Sequence, residues 1–193
     1  MKLWNQNSKD KNSAIDHFLS SEDITLDQEL FLYDIEASIA HTHELEKINI
    51  FTKTEARKVI SSLKKLGKLF QTNKFKLTAK YEDCHSAIED FLTKELGSIG
   101  KKIHTGRSRN DQIIVAMRLY AREKLDEIYS INLKVAKAFL EKSEKHSSNA
   151  MPGYTHLQRA MPSSWGLWFG AFAESFLDNA ELLSNTKSWI NVN

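Results

Sequence analysis

A chain of 193 residues, 41% hydrophobic and 27% charged, has the make-up of a globular protein, which excludes an intrinsically disordered polymer. Its 27 basic residues against 25 acidic leave a formal charge of +2, so no single-sign field marks it as a binder of nucleic acid or of an anionic membrane. A single cysteine, Cys84, excludes an internal disulfide and suits a reducing compartment, the cytoplasm.

The first residues, Met1 to Ser13, are polar and lysine-bearing with no apolar stretch behind them, so neither a signal peptide nor an anchor is expected. From Asp23 to about Ile50, Leu26, Leu30, Tyr33, Ala37 and Ala40 recur in steps of three and four, and Leu45 and Ile48 follow less regularly. This spacing predicts an amphipathic helix. Thr52-Lys53-Thr54-Glu55 has the form of a capping box and opens a second helix with Ala56, Val59, Ile60, Leu63, Leu66 and Phe70 on one face. After a lysine-rich stretch (Lys64, Lys65, Lys68, Lys74, Lys76, Lys80), read as a solvated face, Glu82 to Leu96 forms a third helix that stops at Gly97.

Both prolines, and every glycine but Gly67, fall between Gly97 and Gly170. Neither residue occurs between Gly106 and Pro152, where the apolar rhythm predicts one helix approaching forty residues, roughly 60 Å long. A rod of that length cannot bury its apolar face within so short a chain, which points to a bundle completed by oligomerisation. A last helix is expected from about Ser164 to Trp189. The longest apolar run, Trp165 to Ala173, is too short to span a bilayer.

The two breaker clusters carry the candidate chemistry. In Thr105-Gly106-Arg107-Ser108-Arg109-Asn110-Asp111-Gln112, a turn leads into the first turn of the long helix. Free backbone N–H groups, two guanidinium forks and the polar Ser108 and Asn110 there form an anion cradle. An ordinary basic helix start capped by Ser108 is the alternative. In Met151-Pro152-Gly153-Tyr154-Thr155-His156-Leu157-Gln158-Arg159-Ala160-Met161-Pro162, read as a loop between helices, the His156 imidazole can donate or accept a proton, with Thr155 and Gln158 beside it. A structural loop with a hydrogen-bonded histidine is the alternative there.

No metal site is expected. His41 and His43 sit about 200° apart around a helix and cannot chelate one ion together, which makes them surface or interface groups. Cys84 and His85 lack spaced partners, and Cys84 is read as a core residue. Glu82-Asp83 can favour the dipole at a helix start.

Both clusters closely resemble conserved regions of the argininosuccinate lyase family, in the fumarase/aspartase superfamily. The resemblance extends to Lys2-Leu3-Trp4, to Asp34-Ile35-x-x-Ser38-Ile39-Ala40-His41, to Glu82-Asp83-x-His85 and to Asn191-Val192-Asn193. It implies an all-α fold, with residues 1–106 a small N-terminal helical domain and 107–193 the start of a central long-helix bundle. It implies elimination of fumarate from argininosuccinate to give arginine, with no cofactor, by a cytoplasmic homotetramer that binds neither nucleic acid nor membrane.

Carried over by position, His156 is the acid/base group, assigned here to protonating the leaving nitrogen. Asn110 and Thr155 bind substrate, joined by Ser108, Arg109 and Gln158. The family's proton-abstracting serine lies in a third region that no residue here matches. Family members are more than twice this long, so the resemblance implies an amino-terminal portion, inactive alone. A catalytically silent helical protein of the same descent is the alternative. Two departures stand out: Asp23 occupies a position where members often have a substrate-binding serine, and Met161-Pro162 replaces a common Gln-Pro.

Overall fold

The computed structural model describes residues 22–78 and 80–192. Lys2-Leu3-Trp4, the polar start of the chain and Asn193 lie outside the described residues. The chain divides into two compact units, one reaching Tyr120 and one starting at Ala121. Among the described residues the architecture is helical, as expected, apart from one two-stranded sheet.

In the first unit, α1 (Asp23–Lys47), α2 (Lys53–Gln71) and α3 (Cys84–Leu96) surround a core of Phe31, Leu45, Phe51, Val59, Leu63, Leu66, Ile88, Leu92 and Ile103. Each of these is fully or almost fully buried. Burying such a side chain contributes about 1.5–3 kcal/mol.

The predicted capping box opens α2: Glu55 N–H donates to Thr52 Oγ1 at 3.2 Å, and Thr52 N–H to the Glu55 carboxylate at 2.8 Å. Asp83 and Ser86 form a second box at the start of α3. Helices α1 and α2 both end in left-handed asparagines, Asn49 at φ 62° and Asn73 at φ 56°. In each, the next amide bonds back across the turn, Ile50 N to Leu45 O at 2.9 Å and Lys74 N to Leu69 O at 2.8 Å. These are Schellman closures with asparagine in the usual glycine place.

The buried face of α1 is rotated from the one predicted. Phe31, Asp34, Ile35, Ser38, Thr42 and Leu45 point inward, whereas Leu26 is 64% exposed. Polar residues can occupy that stripe because they bond one another: Ser38 Oγ donates to Asp34 Oδ1 at 3.4 Å and Thr42 Oγ1 to Ser38 O at 2.7 Å.

A short α4 (Ser98–Lys101) and a 3-10 turn (Lys102–His104) lead to the long helix α5, Arg109–Lys145, 37 residues and about 55 Å long. Gly100 is required on α4, since a Cβ there would collide with the backbone of Leu92.

The second unit corrects one expectation. The segment read as a loop is a hairpin of β1 (Ala150–Thr155) and β2 (Gln158–Ser164), followed by α6 (Trp165–Ile190). Pro152 and Pro162 face each other across it. In a two-stranded ribbon both strands are edges, so a missing N–H donor is tolerated. Ser164 caps α6 through the Leu167 amide at 3.0 Å. Phe139 of α5 stacks on Phe172 and Phe176 of α6, with ring centroids 5.3 and 5.7 Å apart. Among the described residues no helix is long and apolar enough to cross a membrane.

Candidate active site

The start of α5 is closed by a reciprocal pair: Ser108 N–H donates to Asp111 Oδ2 at 2.6 Å, and Asp111 N–H to Ser108 Oγ at 3.4 Å. Ser108 thus has the capping role considered for it. Its own side chain and that of Asn110 are exposed, and the Asn110 amide makes no hydrogen bond among the described residues.

Both arginines of the cradle are anchored from behind. Arg109 forms an ion pair with Asp83, whose other oxygen accepts from Ser86 N–H at 2.7 Å. Burial works against ionisation of Asp83, but the Ser86 amide and Arg109 together hold its carboxyl below the usual carboxylate range. Arg107 points inward, with both terminal nitrogens 3.3 Å from Ser38 Oγ. Burial lowers its pKa, a tendency opposed by the nearby Asp34, Glu89 and Asp111.

Behind this start lies a polar chain that the sequence reading did not assemble. Ser38 connects Arg107 to Asp34, and Asp34 Oδ2 lies 2.7 Å from His85 Nδ1. Asp34 and His85 are essentially inaccessible to solvent. Burial alone would lower the His85 pKa; the hydrogen bond and charge of Asp34 outweigh it, and the net shift is upward. The signal was present in α1, where Asp34, Ser38 and Thr42 recur every four residues in line with Phe31, Ile35 and Leu45. His41, expected at the surface or an interface, is half-buried, with Nε2 3.1 Å from the Thr105 carbonyl.

Among the described residues, Asp34, Cys84 and His85 place ligand-type atoms within 4.8 Å of one another. The direct Asp34–His85 hydrogen bond already uses the donor pair. Burial, reinforced by Asp34 and Asp27, raises the Cys84 thiol pKa and keeps it protonated. The trio is a polar part of the core that suits a cation poorly.

Two buried groups near the cradle have no hydrogen-bond partner among the described residues: Arg107 Nε and both amide atoms of Gln112, a residue only 2% exposed. Leaving such groups unpaired costs about 1–3 kcal/mol each.

The second set of candidates sits in the second unit, at the tip of the hairpin. Thr155 pairs with Gln158, leaving a two-residue turn of His156 and Leu157, both left-handed, at φ 49° and 64°. Turns of this kind favour Asn-Gly, and a β-carbon there costs about 1–2 kcal/mol per residue. Thr155, His156 and Gln158 are exposed, and the His156 ring makes no hydrogen bond among the described residues. This differs from a hydrogen-bonded structural histidine. The candidates therefore form two groups, Ser108, Arg109 and Asn110 in one unit and Thr155, His156 and Gln158 in the other.

A family model described as Lyase matches residues 9–193. The chain is 44% identical over 191 residues to the argininosuccinate lyases of Xylella fastidiosa (strain Temecula1 / ATCC 700964) and Xanthomonas campestris pv. campestris (strain B100). Those alignments cover 99% of this chain and 43% and 44% of the two relatives, so the chain spans less than half of their length.

Among solved structures, an EDDS lyase in complex with formate is 26% identical with a TM-score of 0.74, over 85% of this chain and 32% of that one. A fumarate lyase:delta crystallin from Brucella melitensis, at 15% identity and a TM-score of 0.75, covers 92% of this chain and 44% of its own. The second likeness concerns the fold alone.

Proposed function

This chain belongs to the lyase family, and on that basis we propose that it is the amino-terminal part of an argininosuccinate lyase, which eliminates fumarate from argininosuccinate and leaves arginine. The observation that carries the catalytic assignment is the hairpin tip. A histidine held left-handed, exposed and without a hydrogen-bond partner among the described residues is costly for stability and well suited to meeting a ligand.

Cleaving the C–N bond removes a proton next to a carboxylate, leaving a doubly charged aci-carboxylate, and delivers a proton to the departing guanidinium nitrogen. In this reading His156 donates that second proton. Ser108, Arg109 and Asn110 receive carboxylate charge at the positive end of α5, where prearranged donors favour the developing negative charge. The ion pair with Asp83 fixes where the Arg109 guanidinium sits. Thr155 and Gln158 orient the substrate beside the histidine. By the family resemblance, the base that removes the first proton is a serine from a region outside this chain.

The complete protein, in the same reading, is a cytoplasmic homotetramer of arginine biosynthesis that needs no cofactor. Residues 1–106 form its N-terminal domain and 107–193 begin its bundle. The large apolar side chains exposed along α5 and α6, among them Ile114, Ile128, Leu140, Leu167 and Leu182, support burial against further helices.

The test is fumarate release from argininosuccinate by the full-length protein and its His156→Asn variant. The variant should retain assembly and lose about a hundredfold or more in turnover. Unchanged turnover would remove His156 from the acid role, and no release by the unmodified protein would remove the reaction.

A further inference from the structure

We propose that His41, together with Ser38 one turn earlier on α1, is a positioning residue for the anion cradle at the start of α5. This inference rests on the lyase reading above. It gives a task to two residues of the α1 motif, Ser38 and His41, that the chemistry assigned to the site leaves unused.

The cradle is delivered by residues 105–108, which connect the 3-10 turn to α5. This stretch does little to hold itself. Thr105 is extended, Gly106 is left-handed at φ 74°, and neither Gly106 nor Arg107 donates an amide hydrogen bond among the described residues. Two side chains of α1 hold it instead. His41 Nε2 donates to Thr105 O at 3.1 Å, and both terminal nitrogens of Arg107 lie 3.3 Å from Ser38 Oγ. Residues 38 and 41 share one face of α1, so they grip the connection on either side of Gly106.

Both grips are chemically committed. A carbonyl oxygen only accepts, so the His41 proton is on Nε2. Burial and the Arg107 charge hold the His41 pKa below its ordinary value, so at neutral pH the ring has one N–H, and Thr105 takes it. The Ser38 hydroxyl donates to Asp34 Oδ1 at 3.4 Å, which leaves its lone pairs for Arg107. The Thr105 carbonyl belongs to the peptide that enters the Gly106 turn. A rotation of that peptide is therefore carried into Ser108 and Asn110, the exposed polar groups assigned to substrate carboxylate. His43, two residues further along α1, is exposed and forms no hydrogen bond or ion pair among the described residues.

The test compares the full-length protein with its His41→Ala, His41→Gln and His43→Ala variants, by fumarate release from argininosuccinate and by amide exchange of residues 104–112. His41→Ala should raise KM, and speed exchange in that segment, by about tenfold each. A glutamine side chain can place an amide N–H where Nε2 stands, so His41→Gln should return both to within about threefold of the parent. His43→Ala should change neither. A merely structural contact would lower the thermal midpoint, and with it the amount of active protein, while leaving KM in place. Unchanged KM or unchanged exchange in His41→Ala, or equal losses in the alanine and glutamine variants, would overturn the proposal. Absence of fumarate release by the unmodified protein would instead fault the lyase reading, and exchange would still judge the hold of His41 on the turn.

Discussion

Leu157 shows what the hairpin tip costs. It is 98% exposed, so no packing offsets its left-handed backbone. Leu157→Gly should therefore tighten the hairpin by about 1 kcal/mol, read as slower amide exchange across residues 150–164. Faster exchange would mean that the leucine side chain supports the turn in some other way. Asp83 is a second informative residue, because one carboxylate both caps α3 and holds Arg109. Its pKa is depressed in the folded chain, so the stability it contributes is present above the unfolded value of about 4 and is lost as pH falls through the lower folded value. In Asp83→Asn, acid-induced loss of stability should be shallower over that range. An unchanged acid limb in denaturant titrations would show that Asp83 is not a source of it.

Helices α1 and α3 are joined by the buried Asp34–His85 hydrogen bond as well as by apolar contact. His85→Ala would leave Asp34 buried without its partner and should cost about 3–5 kcal/mol, whereas Asp34→Ala/His85→Ala should cost clearly less than the sum of the single variants. Additive losses in denaturant midpoints would show that the two side chains act independently. Because the His85 pKa is raised on folding, its contribution is full below the unfolded value of about 6.5 and declines as pH rises through the folded one. The parent's advantage over the double variant should accordingly narrow toward alkaline pH. What could be read in advance at this scale followed local chemistry. Threonine and glutamate three apart announce the start of α2, and the long stretch without glycine or proline announces α5. Hydrophobic periodicity does not reveal the buried face of α1, because it cannot register polar side chains that satisfy one another, as Asp34, Ser38 and Thr42 do. The hairpin was hidden because His-Leu carries no turn signal, and Pro152, Gly153 and Pro162 read as breakers. The candidate residues were legible as chemical types; the supports behind them, Asp83 for Arg109 and Ser38 for Arg107, depend on contacts between residues 26 and 69 apart in sequence.

For the molecule as a whole, the exposed apolar residues of α5 and α6 and the unmatched serine region lead to one expectation. The 193-residue chain, purified alone, should release no fumarate from argininosuccinate and should elute in light-scattering chromatography as self-associated species. Saturable fumarate production by pure material would show that these residues hold a complete set of catalytic groups. A stable, inert monomer would remove the argument that α5 and α6 seek further helices.

The turn from α5 into α6 contributes something different. Gly166 brings two backbones together so closely that a Cβ there would lie 2.5 Å from Ser147 Cα, and Gly166 N, Trp165 N and Ser143 Oγ all bond across the same junction. The hairpin that springs from it is therefore a cantilever clamped at its root, with exposed residues at its tip. With an arm of about 20 Å, a rocking of about 5° at the root would displace His156 by nearly 2 Å, enough to move a proton donor out of hydrogen-bonding range. A clamp built around Gly166, where no β-carbon fits, keeps the aim of that distant imidazole from drifting.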